Sequence, residues 1–327
     1  MNADKRGFAS KLGFLAVCGW ALLWSTGPHA DLRIFACEPE WAALVRELGG
    51  KNVKVFTATT ARQDPHHIEA RPSLIARMRQ ADLAVCTGAE LEAGWLPVLL
   101  QQSGNDRVQT GSPGYFEAAA HVTLLDVPKR IDRSESANAP SMARAPRLDP
   151  IAEGDIHAAG DPHIHTDPHA ILKVADALAK RLAAVDPKHA AGYRQRHEDF
   201  ARRWRAAIVR WEREGAVLKG KRAISLHKSW TYLYRWLGIQ EVAVLEPRPG
   251  VPPTSAHLAQ ILARHKTTPA QMIVLAAYQD PQAAQWLHEQ SGLSVIKLPY
   301  TVGGNERAVD LFTLFDDTLT LLKGAIR

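Results

Sequence analysis

From residue 32 onward, short apolar runs alternate with stretches whose apolar residues recur at helical spacing. Residues 32–37 read as a buried strand, and 38–48 as a helix with Trp41, Leu44, Val45 and Leu48 on one face before Gly49 and Gly50 end it. Strands are expected at 53–57, 83–86 and 122–127, and helices at 72–80 and 95–101. The pattern breaks at 128–160, which is rich in Pro, Ala, Ser and Arg and reads as a mobile surface loop. Two helices come next, at 168–184 and about 187–214, each opened by an Asp-Pro step that supplies an N-cap and a first-turn proline. Alternation then resumes: strands at 223–226, 242–245, 272–276 and 295–298, and helices at 230–237, 255–264, 281–290 and 307–323.

Strands that take turns with helices imply parallel βαβ units. The fold class is therefore α/β, with two Rossmann-like lobes and parallel sheets. The boundaries fall at 31–127 for the N-terminal lobe, 128–160 for the loop, 161–219 for a loop and linking helices, and 220–327 for the C-terminal lobe. The lobes share an order of elements but no sequence repeat. In the longer linking helix, Tyr193, Phe200, Trp204, Ile208 and Trp211 form one apolar stripe, read as core packing. At 1.5 Å per residue it is a rod of about 40 Å, long enough to hold two lobes at a fixed distance.

The first thirty residues differ in kind. Lys5, Arg6 and Lys11 precede an apolar run over 12–24, and small or polar residues extend from there to Ala30. That order is a secretory signal peptide over 1–30, too short for a stable membrane span, and it places the body outside the cytoplasm. A lipoprotein site at Cys18 fits less well, because Val17 is bulky. Two cysteines, Cys37 and Cys86, then remain, each at the end of an apolar strand. They can bridge if those strands are neighbours; otherwise they are two buried thiols. The net charge of +6 is spread along the chain without a nucleic-acid motif, so it reads as a solvated basic surface and no nucleic acid is expected as partner.

Candidate chemistry lies in the histidines. Asp64-Pro65-His66 comes after the second strand, Asp161-Pro162-His163 precedes the linking helices, and His227 ends a strand of the second lobe. In open α/β sheets ligands bind beyond the carboxyl ends of strands. His66, His163 and His227 are therefore expected to converge on one divalent metal in the cleft between the lobes. Three neutral imidazoles with one position left over suit Zn2+. Asp64 and Glu69 are candidates to orient the rings. His67, His157, His165 and His169 are expected near the mouth, whereas His121, His257, His265 and His288 read as surface or core residues.

These motifs resemble the periplasmic zinc- and manganese-binding components of metal ABC transporters, the cluster A-I metal substrate-binding proteins, over nearly the whole chain after the leader. The family's Asp-Pro-His followed by Glu is matched by Asp64, Pro65, His66 and Glu69. Its Asn-Pro-His then Asp-Pro is matched by Asp161, Pro162, His163, Asp167 and Pro168, and its strand-end histidine by His227. The resemblance implies a monomer that captures a metal outside the cytoplasm, delivers it to a membrane permease and ATPase, and hinges little on its rigid linking helix. It implies no enzyme activity. One departure stands out: the family's Tyr-Thr-Asp reads Tyr300, Thr301, Val302 here. Valine cannot ligate, which leaves the fourth position to Glu306, His67 or water and tilts the expected cargo from Mn2+ to Zn2+. The alternative from a different class is a secreted zinc hydrolase with a metal-bound water and Glu69 as base; the absence of an HExxH helix weighs against it.

Overall fold

The computed structural model describes residues 31–128, 157–248 and 250–326. The expected leader over 1–30 and most of the 128–160 loop lie outside the described residues. In the first lobe, β1 (Leu32–Ala36), β2 (Val53–Thr57), β3 (Leu83–Cys86) and β4 (Tyr115–Glu117) make one parallel sheet in the order β2-β1-β3-β4. Helices α1 (Pro39–Gly49), α2 (Pro72–Gln80) and α3 (Leu96–Ser103) cover it. The second lobe repeats the plan with β5 (Arg222–Ser225), β6 (Gln240–Val244), β7 (Met272–Ala276) and β8 (Ser294–Leu298), in the order β6-β5-β7-β8. Its helices are α6 (Thr231–Leu237), α7 (Ser255–Thr267), α8 (Gln282–Ser291) and α9 (Leu311–Gly324).

Between the lobes run α4 (Pro168–Val185) and the 26-residue α5 (Ala190–Gly215). Asp167 caps α4, its side chain accepting from the His169 backbone N–H, as the Asp-Pro signal predicts. At Asp186 the same signal yields a short 3-10 turn, Pro187–His189, before α5 begins. The α5 stripe is core: Tyr193, Phe200, Trp204 and Trp211 are fully buried. The Trp204 indole donates to Pro168 O at 2.8 Å, so the stripe pins the two linking helices together. Residues of both lobes and of α4 and α5 belong to a single apolar cluster, from Ile34 and Trp41 through Trp204 to Trp230 and Leu319. A continuous core across the waist resists hinge bending, because separating the lobes would expose it to water.

The expected strand at 122–127 is absent. Its place beside β3 is taken by β4, three residues that pair Ala84 with Tyr115 and Cys86 with Glu117. The 122–127 stretch instead crosses towards the second lobe. Leu125 N donates to the Tyr232 hydroxyl and Leu125 O accepts from Asp161 N, so its polar backbone is satisfied outside a sheet. The last helix starts at Leu311 rather than near 307, because Asn305 Oδ1 accepts from the backbone of Arg307 and Ala308 and Asp310 forms a capping box with Thr313.

Strand register settles the cysteines. β1 and β3 are neighbours in which Ala36 faces Val85, so Cys37 and Cys86 lie opposite one another and form a disulfide. It closes a sequence separation of 49, for which the chain-entropy estimate gives roughly 4 kcal/mol of stabilisation. No helix among the described residues is long and apolar enough to cross a membrane.

Candidate metal centre

Each expected ligand comes from a loop that the chain fixes rigidly. His66 lies between β2 and α2, where the buried Trp95 indole donates to Pro65 O at 2.8 Å. Asp64 Oδ1 accepts from both the His66 backbone N (3.0 Å) and its Nδ1 (2.7 Å). His163 repeats the device: Asp161 Oδ1 accepts from its backbone N and from its Nδ1, each at 2.8 Å. Proline between the two residues holds the turn open, so one carboxylate both caps the backbone and orients the ring. His227 stands just after β5, and its Nδ1 is held by Glu246 Oε2 at 2.8 Å.

The three rings converge. Centroids are 5.5 Å apart for His66 and His163, 5.7 Å for His66 and His227, and 5.9 Å for His163 and His227. One ring nitrogen from each lies within 4.8 Å of the other two. With each Nδ1–H given to a carboxylate, each Nε2 carries the ring's lone pair, the form in which imidazole binds metal. His163 is fully buried and its Nε2 has no hydrogen-bond partner. A buried, unsatisfied nitrogen costs about 1–3 kcal/mol, a cost that an ion at this point would relieve.

Burial lowers the His163 pKa to about 4, against the raising effect of Asp161, so the ring is neutral at pH 7. Burial alone would raise the carboxyl of Asp161, yet His163 and a hydrogen bond from Thr231 hold it below its ordinary value. Asp64 behaves likewise, with the His66 bond outweighing its desolvation. A neutral His163 backed by the Asp161 carboxylate can hold a divalent cation, and the ion need displace no proton from that ring.

The remaining candidates divide. Asp64 orients a ring as expected, whereas Glu69 is exposed. Glu246, a residue that sequence reasoning missed, does for His227 what Asp64 and Asp161 do for the other rings. His67 and Glu306 are exposed, and Val302 packs against the central core. His169 is exposed on α4 and pairs with Glu212 at 3.0 Å. His165 is not at a mouth: it is buried beneath Tyr300, 4.7 Å between centroids, with its Nδ1 3.5 Å from Glu40. His157 is buried beside His66. A cleft of about 500 Å3 opens beside His227, lined by Asp64, Glu246, Asp280, Tyr278 and Trp286, and its carboxylates attract cations. A wider groove of about 740 Å3 along α4 carries Lys173, Lys180, Arg181 and Arg205 and would repel them.

Residues 34–325 match the family described as ZnuA, zinc-uptake complex component A, periplasmic. No curated protein matches significantly. Among solved structures, a crystal structure of ZnuA superposes with a TM-score of 0.71 at 20% identity, covering 91% of this chain and 100% of that one. FpvC from Pseudomonas aeruginosa, solved in complex with Mn2+, gives 0.71 at 20% identity over 91% and 98%. The laminin-binding adhesin Lmb from Streptococcus agalactiae gives 0.68 at 20% identity over 91% and 100%. At such identities these likenesses establish the two-lobe fold.

Proposed function

Because the chain belongs to the ZnuA family of periplasmic zinc-uptake components, we propose that it captures Zn2+ outside the cytoplasm and delivers it to an ABC permease for uptake. Proteins of this family are metal-binding components of ABC import, working with a permease and an ATPase, and are not enzymes. The finer reading is ours: zinc as cargo, His66, His163 and His227 as its ligands, and a monomer that docks on the permease.

The convergence of three carboxylate-backed imidazoles carries this reading. Zinc binds well to imidazole nitrogen at about 2.0–2.1 Å, whereas manganese favours oxygen donors. The position where the resembling family carries an aspartate holds Val302, so the carboxylate oxygen that would favour manganese is missing there. The hydrolase alternative has no support: the family is a transport family, and the expected base, Glu69, is exposed.

Calorimetric titration of the metal-stripped mature protein tests the proposal. One tight zinc site with weak or absent manganese binding is expected. Tighter binding of manganese would overturn the zinc assignment, and no tight binding of either ion would overturn the metal-capture reading itself.

A further inference from the structure

Three imidazoles leave a tetrahedral ion one ligand short, and the residues expected at that place are exposed or packed against the core, although the His67 ring lies 6.2 Å from that of His66. His67 and Glu306 are exposed, and Val302 faces the core. A fourth imidazole, however, lies beside two of the three rings. His157 is buried, and the Nε2 atoms of His66, His157 and His163 are all shut off from solvent. Its ring centroid is 5.5 Å from that of His66 and 6.4 Å from that of His163. The first of these falls within the 5.5 to 5.9 Å found among the three rings already described, and the second is 0.5 Å beyond it. Four imidazoles on one tetrahedral zinc, with Zn–N near 2.0–2.1 Å, place their centroids roughly 5 Å apart. The planes of His66 and His157 differ by only 18°, which two ligands of one ion adopt when both rings lie near the N–Zn–N plane.

The backbone at His157 is anchored. Ala158 N donates to Glu90 Oε2 at 2.6 Å, Gly160 N closes a turn onto His157 O at 3.0 Å, and Asp161 N donates to Leu125 O at 2.8 Å. Gly160 has φ +113°, and a Cβ there would lie 2.8 Å from Leu125 O, so the turn requires glycine. The turn thus leads directly from His157 into the Asp161-Pro162-His163 device.

We propose that His157 is the fourth ligand, so that the captured ion is held by four imidazoles. The proposal rests on the three-histidine reading above. It has a chemical consequence. Four nitrogen ligands close the coordination of zinc and leave no place for a reactive water, which suits an ion that is carried rather than used. It also makes nitrogen the whole donor set, the composition least favourable to manganese.

X-ray absorption at the zinc edge of the loaded mature protein counts the imidazoles, and calorimetry of the same samples gives affinity. The wild type is expected to show four imidazoles per zinc. H157A is expected to show three imidazoles and an oxygen, with zinc affinity lowered by at least the roughly 10–100-fold that loss of a supporting carboxylate costs. H157D, which supplies an oxygen donor, is expected to narrow the preference for zinc over manganese. Metal-free unfolding curves of the variants check that the fold is kept. H163A separates the two readings. If H163A loses zinc while H157A keeps both its spectrum and its affinity, the fourth-ligand proposal is overturned and the capture site stands. If H163A binds zinc as the wild type does, both are overturned.

Discussion

Asp161-Pro162-His163 and Asp167-Pro168-His169 are the same tripeptide six residues apart, and the chain uses them for different ends. In both, the aspartate Oδ1 accepts the backbone N–H of the histidine at 2.8 Å. The local geometry that the tripeptide encodes is therefore the same, but the two chains of residues beyond it diverge. Pro168 is the first residue of α4, so His169 rides on the outer face of a helix and its side chain is 49% exposed. Pro162 leads into a 3-10 turn, Ile164–Thr166, and His163 turns inward until none of it is exposed. Asp161 then also takes the ring Nδ1, whereas the ring of His169 reaches Glu212 through Nε2. The motif specifies a cap; burial beside two other imidazoles makes one copy a ligand candidate.

The largest test of this difference is truncation of the two rings. H163A is expected to weaken zinc binding by orders of magnitude in calorimetry, since it removes the most buried donor of the cluster. H169A is expected to leave the affinity unchanged. Equal losses in the two variants would mean that the inward and outward copies are not functionally distinct.

The next effect is a stability difference in the metal-stripped protein. Burial holds the His163 pKa at about 4, below the ordinary value of 6.5. Between those values the unfolded chain binds the proton and the folded chain does not, so folding stability falls as pH drops from about 6.5 towards 4. Above 6.5 this group contributes no slope. Fully developed, the shift corresponds to about 3 kcal/mol. The depressed pKa of Asp161 acts below this window. Thermal unfolding of H163Q is expected to show a shallower loss of midpoint across pH 6.5 to 4 than the wild type, while H169Q keeps the wild-type slope. An unchanged slope in H163Q would mean that the neutral ring is not set by burial.

The two copies also show what can be read from the chain alone. Asp-Pro-His is local chemistry, and two of its three copies were separable from the third because Pro168 opens a helical pattern. His227 was legible as the end of a strand. Glu246 was not, because its role depends on register between strands: β5 pairs Ser225 with Val244, which carries Glu246 alongside His227 two residues further on. The disulfide is hidden in the same way, since it needs β1 and β3 to be neighbours with Ala36 opposite Val85. The three residues of β4 are too short for periodicity to register, and the apolar stretch at 122–127 imitated a strand while serving as a crossing. The turn from His157 to Gly160 is anchored through Ala158 on Glu90, a residue of the first lobe far away in sequence. Local capping and periodicity are written in neighbouring residues; register and burial are properties of the assembled sheets.

The smallest effects separate the two aspartates. D161A removes the acceptor that orients the His163 ring and fixes its tautomer, so zinc affinity is expected to drop roughly 10–100-fold. D167A removes the N-cap of α4, which is expected to cost about 0.5–2 kcal/mol in denaturant unfolding and nothing in zinc affinity. D161N refines the test, because the amide can still accept from the backbone but lacks the charge that backs the ring. An affinity for D161N between those of the wild type and D161A would divide the role of Asp161 into a capping part, shared with Asp167, and an electrostatic part that only the inward copy possesses. If D167A instead weakened zinc as much as D161A does, the ligand loop would have to be positioned through the start of α4, and the two copies would act as one unit rather than as a cap and a ligand support.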